Sequence, residues 1–464
     1  MLFTSVLEKD IESFRKVISP YKEDIDAIEL RLDLLESLDI EKILEIIDKP
    51  VVFTLRRKDQ GGFYIKDEKK RIADIKFLLK YKPEYFDIEY DTFVNINDLK
   101  NISPKTQFIC SYHQFEDSFC DIENIYQMMP KGYEHYKIAF QSISSIESLR
   151  SLFFTKKYKD LTCIAMGGKG SFARILTPLV GGFLNYVFIN KKTADGQIDL
   201  KTAVDIYRLN KLSKKTKSFA LIGSPVNKSY GHLFFNKLFK KETVDAVYVK
   251  IDLKVDELDG FFSYVKKLKI FSGFSVTMPL KEEVIKYLNK IDDTDIGAVN
   301  TIDKDLVGYN TDKKGFLAAI ENIQVKNKKV VILGAGGAAK AIAFALKEKQ
   351  ANIFIYNRTL AKAKALARSV QGSFGSLNDI DEYDILINTI PYKENKFPLN
   401  LNFIKKNKVI MDIISNPVDT LILKKAKEKK CRCVYGYEMY LNQAIYQYII
   451  WLKKKNNIDF FDIC

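Results

Sequence analysis

The strongest constraint on this chain is a rhythm in its first ~210 residues. Short β-branched or apolar runs recur there: LFTSVL (2–7), AIELRLD (27–33), VVFTLR (51–56), YFDIEY (85–90), QFICSYH (107–113), HYKIAF (135–140), LTCIAMG (161–167) and YVFIN (186–190). The segments between them, such as KDIESFRKVI, DIEKILEIID and RIADIKFLLK, carry helical periodicity. Eight strands alternating with helices over this length predict an α/β fold that opens with a (β/α)8 TIM barrel. Charged residues cluster at the C-terminal ends of the runs: Glu29, Arg31, Arg56, Glu89, His113, Lys137 and Arg174. That end of an α/β barrel carries the functional groups, and a purely structural core does not collect charges beside buried strands.

The pattern restarts after a basic stretch, NKLSKKTKS (210–218), read as a linker. Strand-like and helical segments alternate to about residue 324, and a nucleotide-binding unit opens at KKVVILGAGGAAKAIAFAL (328–346). The expected domains are therefore 1–210, 217–324 and 325–436, with a terminal amphipathic helix over 437–455 returning to the middle domain.

Lys137 lies between apolar neighbours in a strand, where burial and nearby arginines lower an amine's pKa and free it to attack a ketone. A strand-end lysine can equally snorkel into water. His113 closes the preceding strand and suits proton transfer, although a lone histidine is often structural. Arg31, Arg56 and Arg174 are a candidate carboxylate-binding cluster.

In the second half, Gly334, Ala335, Gly336, Gly337 and Ala338 follow the strand VVIL and open a helix, the arrangement that receives a pyrophosphate. The next strand ends in Asn357-Arg358-Thr359 without the acid that holds NAD ribose hydroxyls, which favours NADP. Lys281 and Asp312 each follow a strand-like run and can form a proton-transfer pair or a plain ion pair.

Ordered motifs weigh these options. ELRLD (29–33), TLRRKDQGG (54–62), SYH (111–113), KIA (137–139), Arg174 and DGQ (195–197) resemble type I 3-dehydroquinate dehydratase. That resemblance implies an imine on Lys137, proton transfer by His113, and substrate contacts from Ser5, Glu29, Arg31, Arg56, Arg174, Thr193 and Gln197. GSPVNKS (223–229), SVTMPLK (275–281), GAVN (297–300), GYNTD (308–312), GAGGAA, NRT and GYEMYLNQA (436–444) resemble shikimate dehydrogenase. It implies a Lys281–Asp312 catalytic pair and substrate contacts from Ser229, Gly231, Thr277, Asn300 and Gln443. NADPH contacts fall to the glycine loop, Asn357, Arg358, Thr359, Ile414 and Gly436. The middle and last domains become a shikimate-dehydrogenase-type substrate domain and a Rossmann NADP-binding domain.

The chain departs from these patterns where Gln60, Ala173 and Asp195 stand in the first half, and where Gly231, Ser415 and Thr389-Ile390-Pro391 stand in the second. Gly231 removes a carboxylate-binding hydroxyl.

The expected activity is dehydration of 3-dehydroquinate followed by reduction of 3-dehydroshikimate to shikimate. An oxidative quinate/shikimate dehydrogenase and a non-catalytic metabolite sensor are the alternatives. Three histidines make a histidine-built metal site improbable, and six scattered cysteines read as reduced buried thiols. The net charge of +15 is spread through helical stretches, so it suits anionic small molecules rather than nucleic acid. No ~18-residue apolar window or leader pattern is present, which predicts a cytoplasmic chain without a membrane partner. Oligomeric state is left open.

Overall fold

Parallel strands with both faces buried dominate the N-terminal part of the computed structural model, which describes residues 1–8, 10–34, 40–292, 294–391 and 397–453. The strands are β1 (Leu2–Val6), β2 (Ala27–Arg31), β3 (Val51–Thr54), β4 (Tyr85–Glu89), β5 (Gln107–Gln114), β6 (His135–Gln141), β7 (Leu161–Met166), β8 (Asn185–Phe188) and the short β9 (Ile198–Asp199). Among the described residues the sheet order is β7-β6-β5-β4-β3-β2-β1-β8-β9. Every pairing from β7 round to β8 runs parallel.

The curl of this sheet comes from its inner face. Phe3, Ala27, Val52, Tyr85, Ile109, Ala139, Ile164 and Tyr186, one from each of the eight strands, meet in a single apolar cluster. Burying each large member is worth ~1.5–3 kcal/mol, a gain available only if the sheet wraps on itself. Where β7 and β8 meet, a side chain substitutes for ladder bonds: Thr162 Oγ1 accepts from the N–H groups of Phe183 (3.2 Å) and Leu184 (3.3 Å). The intervening helices start on side-chain caps, including Asp10, Asp67, Asn95, Asp121, Ser144 and Asp199.

Among the described residues the chain divides into two compact units, Met1–Leu221 with Pro225–Phe271, and Ile222–Ser224 with Ser272 to Lys453. The first therefore contains the curled sheet, most of β10 (Lys217–Gly223), and β11 (Ala246–Asp252) beside it. The basic stretch 210–218, expected as a linker, is mostly exposed and is fastened at its edges. Leu209 and Thr216 at its edges are buried, and Arg208 donates to the carbonyls of Val244 (3.1 Å) and Ala246 (2.7 Å). Its lysines hide the anchoring because only the flanking side chains turn inward. The barrel helix Ser145–Lys157 also packs on the helix Leu258–Leu268. Ser145 Oγ donates to Asp252 O (2.6 Å), Lys156 Nζ donates to Leu268 O (2.5 Å), and Phe153 meets Tyr264 edge-on.

In the second unit, β12 (Phe271–Val276) lies antiparallel to β14 (Thr301–Asp303). Next comes β15 (Val307–Tyr309), antiparallel to β14, and then the short β13 (Lys290–Ile291). The terminal helix Gly436–Leu452 is anchored on these strands. Ser275 Oγ donates to Gln447 Oε1 (2.7 Å), and Trp451 Nε1 donates to Ile302 O (3.0 Å). Residues 454 and 455 of the expected helix lie outside the described residues.

A second sheet follows, formed by β16 (Lys329–Leu333), β17 (Asn352–Tyr356), β18 (Ser373–Gly375), β19 (Ile385–Asn388), β20 (Val409–Asp412) and β21 (Arg432–Tyr435). It is parallel throughout, in the order β18-β17-β16-β19-β20-β21. The order reverses between β16 and β19, the place where doubly wound sheets open a ligand crevice.

No described helix is long and apolar enough to cross a membrane. Among the described cysteines all five are free thiols. Cys110, Cys120 and Cys163 are buried, whereas Cys431 and Cys433 are only half-buried, and Cys464 lies outside the described residues.

Candidate active sites

One cleft in the first unit is lined by Glu29, Arg31, Arg56, His113, Lys137, Arg174, Thr193 and Gln197. Lys137, in mid-β6, is 4% exposed, and its Nζ pairs with Asp87 of β4. Asp87 Oδ1 also accepts from Arg56 (2.8 Å) and from Ser111 Oγ (2.6 Å). Glu89, two residues along the same strand face, binds Arg71 (2.7 Å) and lies 3.4 Å from Arg56. On β2, Glu29 accepts from Ser5 Oγ (2.5 Å) and Thr54 Oγ1 (3.1 Å).

These charges act on one another through little water. Burial lowers the Lys137 pKa, Asp87 opposes that shift, and Arg56 adds to it. Burial raises the Asp87 carboxyl, but Arg56 and Lys137 outweigh it and hold the group well below the carboxylate range. His113 is lowered well below the ordinary imidazole range by burial, then by Arg56 and Lys137, and its Nδ1 has no hydrogen-bond partner among the described residues. The Tyr186 ring lies 5.0 Å from Lys137 Nζ.

Two expected arginines differ in kind. Arg31 is forked onto Asp33 (3.0 and 2.7 Å) and so arrives neutralised. Arg174 lies within the helix Ser171–Val180, not at a strand end as the sequence suggested. Its side chain reaches back, with Nε donating to Ala165 O (3.2 Å). It has no carboxylate partner among the described residues, and burial alone pushes it down to about 10. A buried cation left in this state is a receptor for an anion. Thr193 N and Oγ1 both donate to Gln197 Oε1 (2.9 and 2.8 Å), closing the loop that carries the exposed Asp195.

In the second unit, Lys281 sits on the helix Leu280–Glu283 after β12, and its Nζ pairs with Asp312 Oδ2. Asn300 Nδ2 donates to Asp312 Oδ1 (2.8 Å) and Thr311 Oγ1 (2.9 Å) and lies 3.2 Å from Gln443 Oε1. Lys281, Asn300, Asp312 and Gln443 are thus one connected cluster. Thr277 leads into the Lys281 helix, with its N–H donating to Ile222 O (2.9 Å).

The glycine loop fits a pyrophosphate. Gly334 has φ +110°, a conformation that L side chains rarely adopt. A Cβ on Gly337 would stand 3.0 Å from Lys281 Cδ, so glycine lets the lysine stem lie against the loop. Nothing fills the space a Cβ would take at Gly336, and no side chain caps the helix Gly337–Glu348 there. Free N–H groups at such a terminus suit phosphate. Ala335 is buried and Ala338 half-buried beside them.

At the end of β17, Arg358 and Thr359 are exposed, and Asn357 Nδ2 donates to Thr359 O (3.0 Å). Gly436 packs against the Ile413 and Ile414 carbonyls, so Ile414 and Gly436 are brought together. Ser229 and Gly231 belong to the first unit, where Gly231 N donates to Ser229 Oγ (3.2 Å).

Sequence reasoning overlooked Asp87, Tyr186 and Ser111. Asp87 was legible in principle, since it shares a strand face with Glu89, which did attract notice.

Comparison with known proteins follows the same division. The family model for Type I 3-dehydroquinase matches residues 2–214. The Shikimate dehydrogenase substrate binding domain matches 221–302, and Shikimate / quinate 5-dehydrogenase matches 317–420. The shikimate biosynthesis protein AroDE of Chlamydia pneumoniae is 34% identical, covering 92% of this chain and 90% of its own. The chloroplastic bifunctional 3-dehydroquinate dehydratase/shikimate dehydrogenase of Arabidopsis thaliana is 32% identical, covering 92% of this chain and 77% of its own. A solved shikimate dehydrogenase in complex with NADP+ is 37% identical, with TM-score 0.50, covering 53% of this chain and 93% of its own.

Proposed function

The chain belongs to the bifunctional 3-dehydroquinate dehydratase/shikimate dehydrogenase family, and from that premise we propose how its residues divide the two reactions. It is an enzyme of the shikimate pathway, with a lyase match over residues 2–214 and oxidoreductase matches over 221–302 and 317–420. One observation carries the assignment of residues: each half holds a lysine against a carboxylate that further donors fix in place.

In the lyase half, Arg174 takes the carboxylate of 3-dehydroquinate, because among the described residues it alone of the cleft's arginines lacks an acid. Lys137 attacks the C3 ketone and water leaves, giving an imine. The imine acidifies the C2–H, His113 accepts that proton and passes it to the C1 hydroxyl, which departs as water. Hydrolysis then returns the amine and releases 3-dehydroshikimate. Asp87 and Arg56 act on Lys137 in opposite senses, so the amine stays positioned yet can lose its proton. Glu29, Arg31, Thr193, Gln197 and Ser5 shape and close the cleft.

In the oxidoreductase half, Lys281 hands a proton to the substrate oxygen, with Asp312 holding the ammonium and Asn300, Thr277 and Gln443 orienting the hydroxyls. NADPH supplies the hydride when bound. The glycine loop receives its pyrophosphate, Asn357, Arg358 and Thr359 the 2′-phosphate, and Ile414 and Gly436 border the nicotinamide. The absence of an acid after β17 disfavours the NAD-linked oxidative alternative. Arg358→Glu should therefore raise the KM for NADPH by ~10-fold or more, with NADH use unchanged or improved. An unchanged NADPH KM contradicts the 2′-phosphate assignment.

The depressed pKa of His113 predicts a neutral ring at pH 7. Between the ordinary imidazole pKa near 6.5 and the lower folded value, the unfolded chain binds a proton that the folded chain does not. His113 thus makes folding less favourable as pH falls through that window. With only three histidines in the chain, an NMR titration resolves this, using His113→Asn for assignment. A His113 signal titrating at or above pH 6.5 contradicts it.

The overall test is to supply purified protein with 3-dehydroquinate and NADPH. Shikimate should form as nicotinamide absorbance falls. Absorbance loss without shikimate, or no loss, overturns the coupled reading.

A further inference from the structure

We propose that the hydroxyl of Tyr186 is a catalytic hydrogen-bond donor of the lyase half, holding the C3 oxygen of the substrate while Lys137 adds to that carbon. The proposal rests on the reading of an imine at Lys137 and names the group that receives the oxygen the imine displaces.

Tyr186 stands on β8 opposite Phe3 of β1, in the parallel register of the curled sheet. Its ring packs on Phe3 (centroids 5.4 Å) and lines the same cleft as Glu29, Arg56, His113 and Lys137. The ring centroid is 5.0 Å from Lys137 Nζ, so a carbon bonded to that nitrogen comes within reach of the phenol. Packing alone would be served by a phenylalanine. The hydroxyl is what packing does not explain: it is buried, and it has no hydrogen-bond partner among the described residues. A buried donor left unpaired is costly, and an arriving substrate oxygen offsets that cost. The other hydroxyls lining the cleft are committed. Thr54 Oγ1 donates to Glu29 (3.1 Å), and Thr193 Oγ1 donates to Gln197 (2.8 Å). Arg56 is engaged by Asp87 and Ser111, and Arg31 by Asp33. Burial, then the charges of Glu29 and Asp87, hold the Tyr186 phenol well above its ordinary pKa, with Arg56 opposing. The group therefore stays protonated and donates, rather than serving as a base.

Imine formation defines what the hydroxyl does. As the bond from Nζ to C3 forms, the carbonyl π pair moves onto oxygen, and negative charge grows there out of reach of bulk water. Two of the three protons of the Lys137 ammonium end on that oxygen. It leaves as water while the nitrogen lone pair closes the C=N bond, and the third proton stays on nitrogen. The phenol keeps its own proton and hydrogen-bonds the oxygen from attack to departure. In the closing hydrolysis the same contact holds the incoming water.

Tyr186→Phe removes the hydroxyl and keeps the ring. The full chain is mixed with 3-dehydroquinate and treated with borohydride at successive times. At saturating substrate the reduced adduct on Lys137 should appear ~10-fold or more slowly than in wild type. The substrate concentration giving half the maximal trapping rate should change little. Reduction of 3-dehydroshikimate with NADPH should match wild type, and the thermal midpoint should hold or rise, because an unpaired buried hydroxyl is gone. Trapping at the wild-type rate overturns the proposal, whether the thermal midpoint falls, as for a merely structural hydroxyl, or not. A normal maximal rate with a raised half-saturation also overturns it, because the hydroxyl then binds a spectator hydroxyl of the substrate. If wild type itself yields no adduct, the imine reading fails and the proposal with it.

Discussion

Lys137→Met is expected to lower dehydration of 3-dehydroquinate by ~10^4-fold or more, while the same protein reduces 3-dehydroshikimate with NADPH at an undiminished rate. Methionine approximates the stem volume of lysine, so the strand keeps its packing, and Arg56 still compensates Asp87. The loss is therefore chemical rather than structural. Borohydride added to wild type with 3-dehydroquinate should leave a reduced adduct, and mass spectrometry should map it to the peptide containing Lys137. An intact chain that stays unmodified ends the imine mechanism. An adduct on another lysine moves it elsewhere.

The second large effect is expected at Lys281. Lys281→Met should cut kcat for reduction of 3-dehydroshikimate by ~10^2–10^4-fold, the span of a lost proton donor. The KM for NADPH should move only a few-fold, because the glycine loop and the residues after β17 are untouched. Dehydratase turnover serves as the internal control. Comparable losses in kcat and in NADPH binding would mean that Lys281 supports the loop it lies against at Gly337 rather than donating a proton.

What the sequence allowed was uneven, for physical reasons. Strand rhythm marks eight runs, because a parallel strand buried on both faces is written as an apolar run. It does not reveal that Arg174 acts from a helix, since a long side chain can reach a strand's end from the next element. Lys137 and His113 stood out as charge beside apolar neighbours. Asp87 did not, because its meaning depends on Lys137 from two strands away and Arg56 from the neighbouring strand. Only the register joining Thr54 to Asp87 and Ser111 to Lys137 brings them together.

The helix pair Ser145–Lys157 and Leu258–Leu268 bears on how such a chain can be taken apart. Severing it near residue 210 would strip Phe153 of Tyr264 and leave Asp252 without Ser145 and Lys169. It would also bare the carbonyls that Arg208 holds at the start of β11. Catalytic independence of the two reactions is therefore not matched by structural independence of the fragments. A recombinant lyase cut at the family boundary begins with an exposed wound, whereas one extended through Phe271 keeps its own dressing.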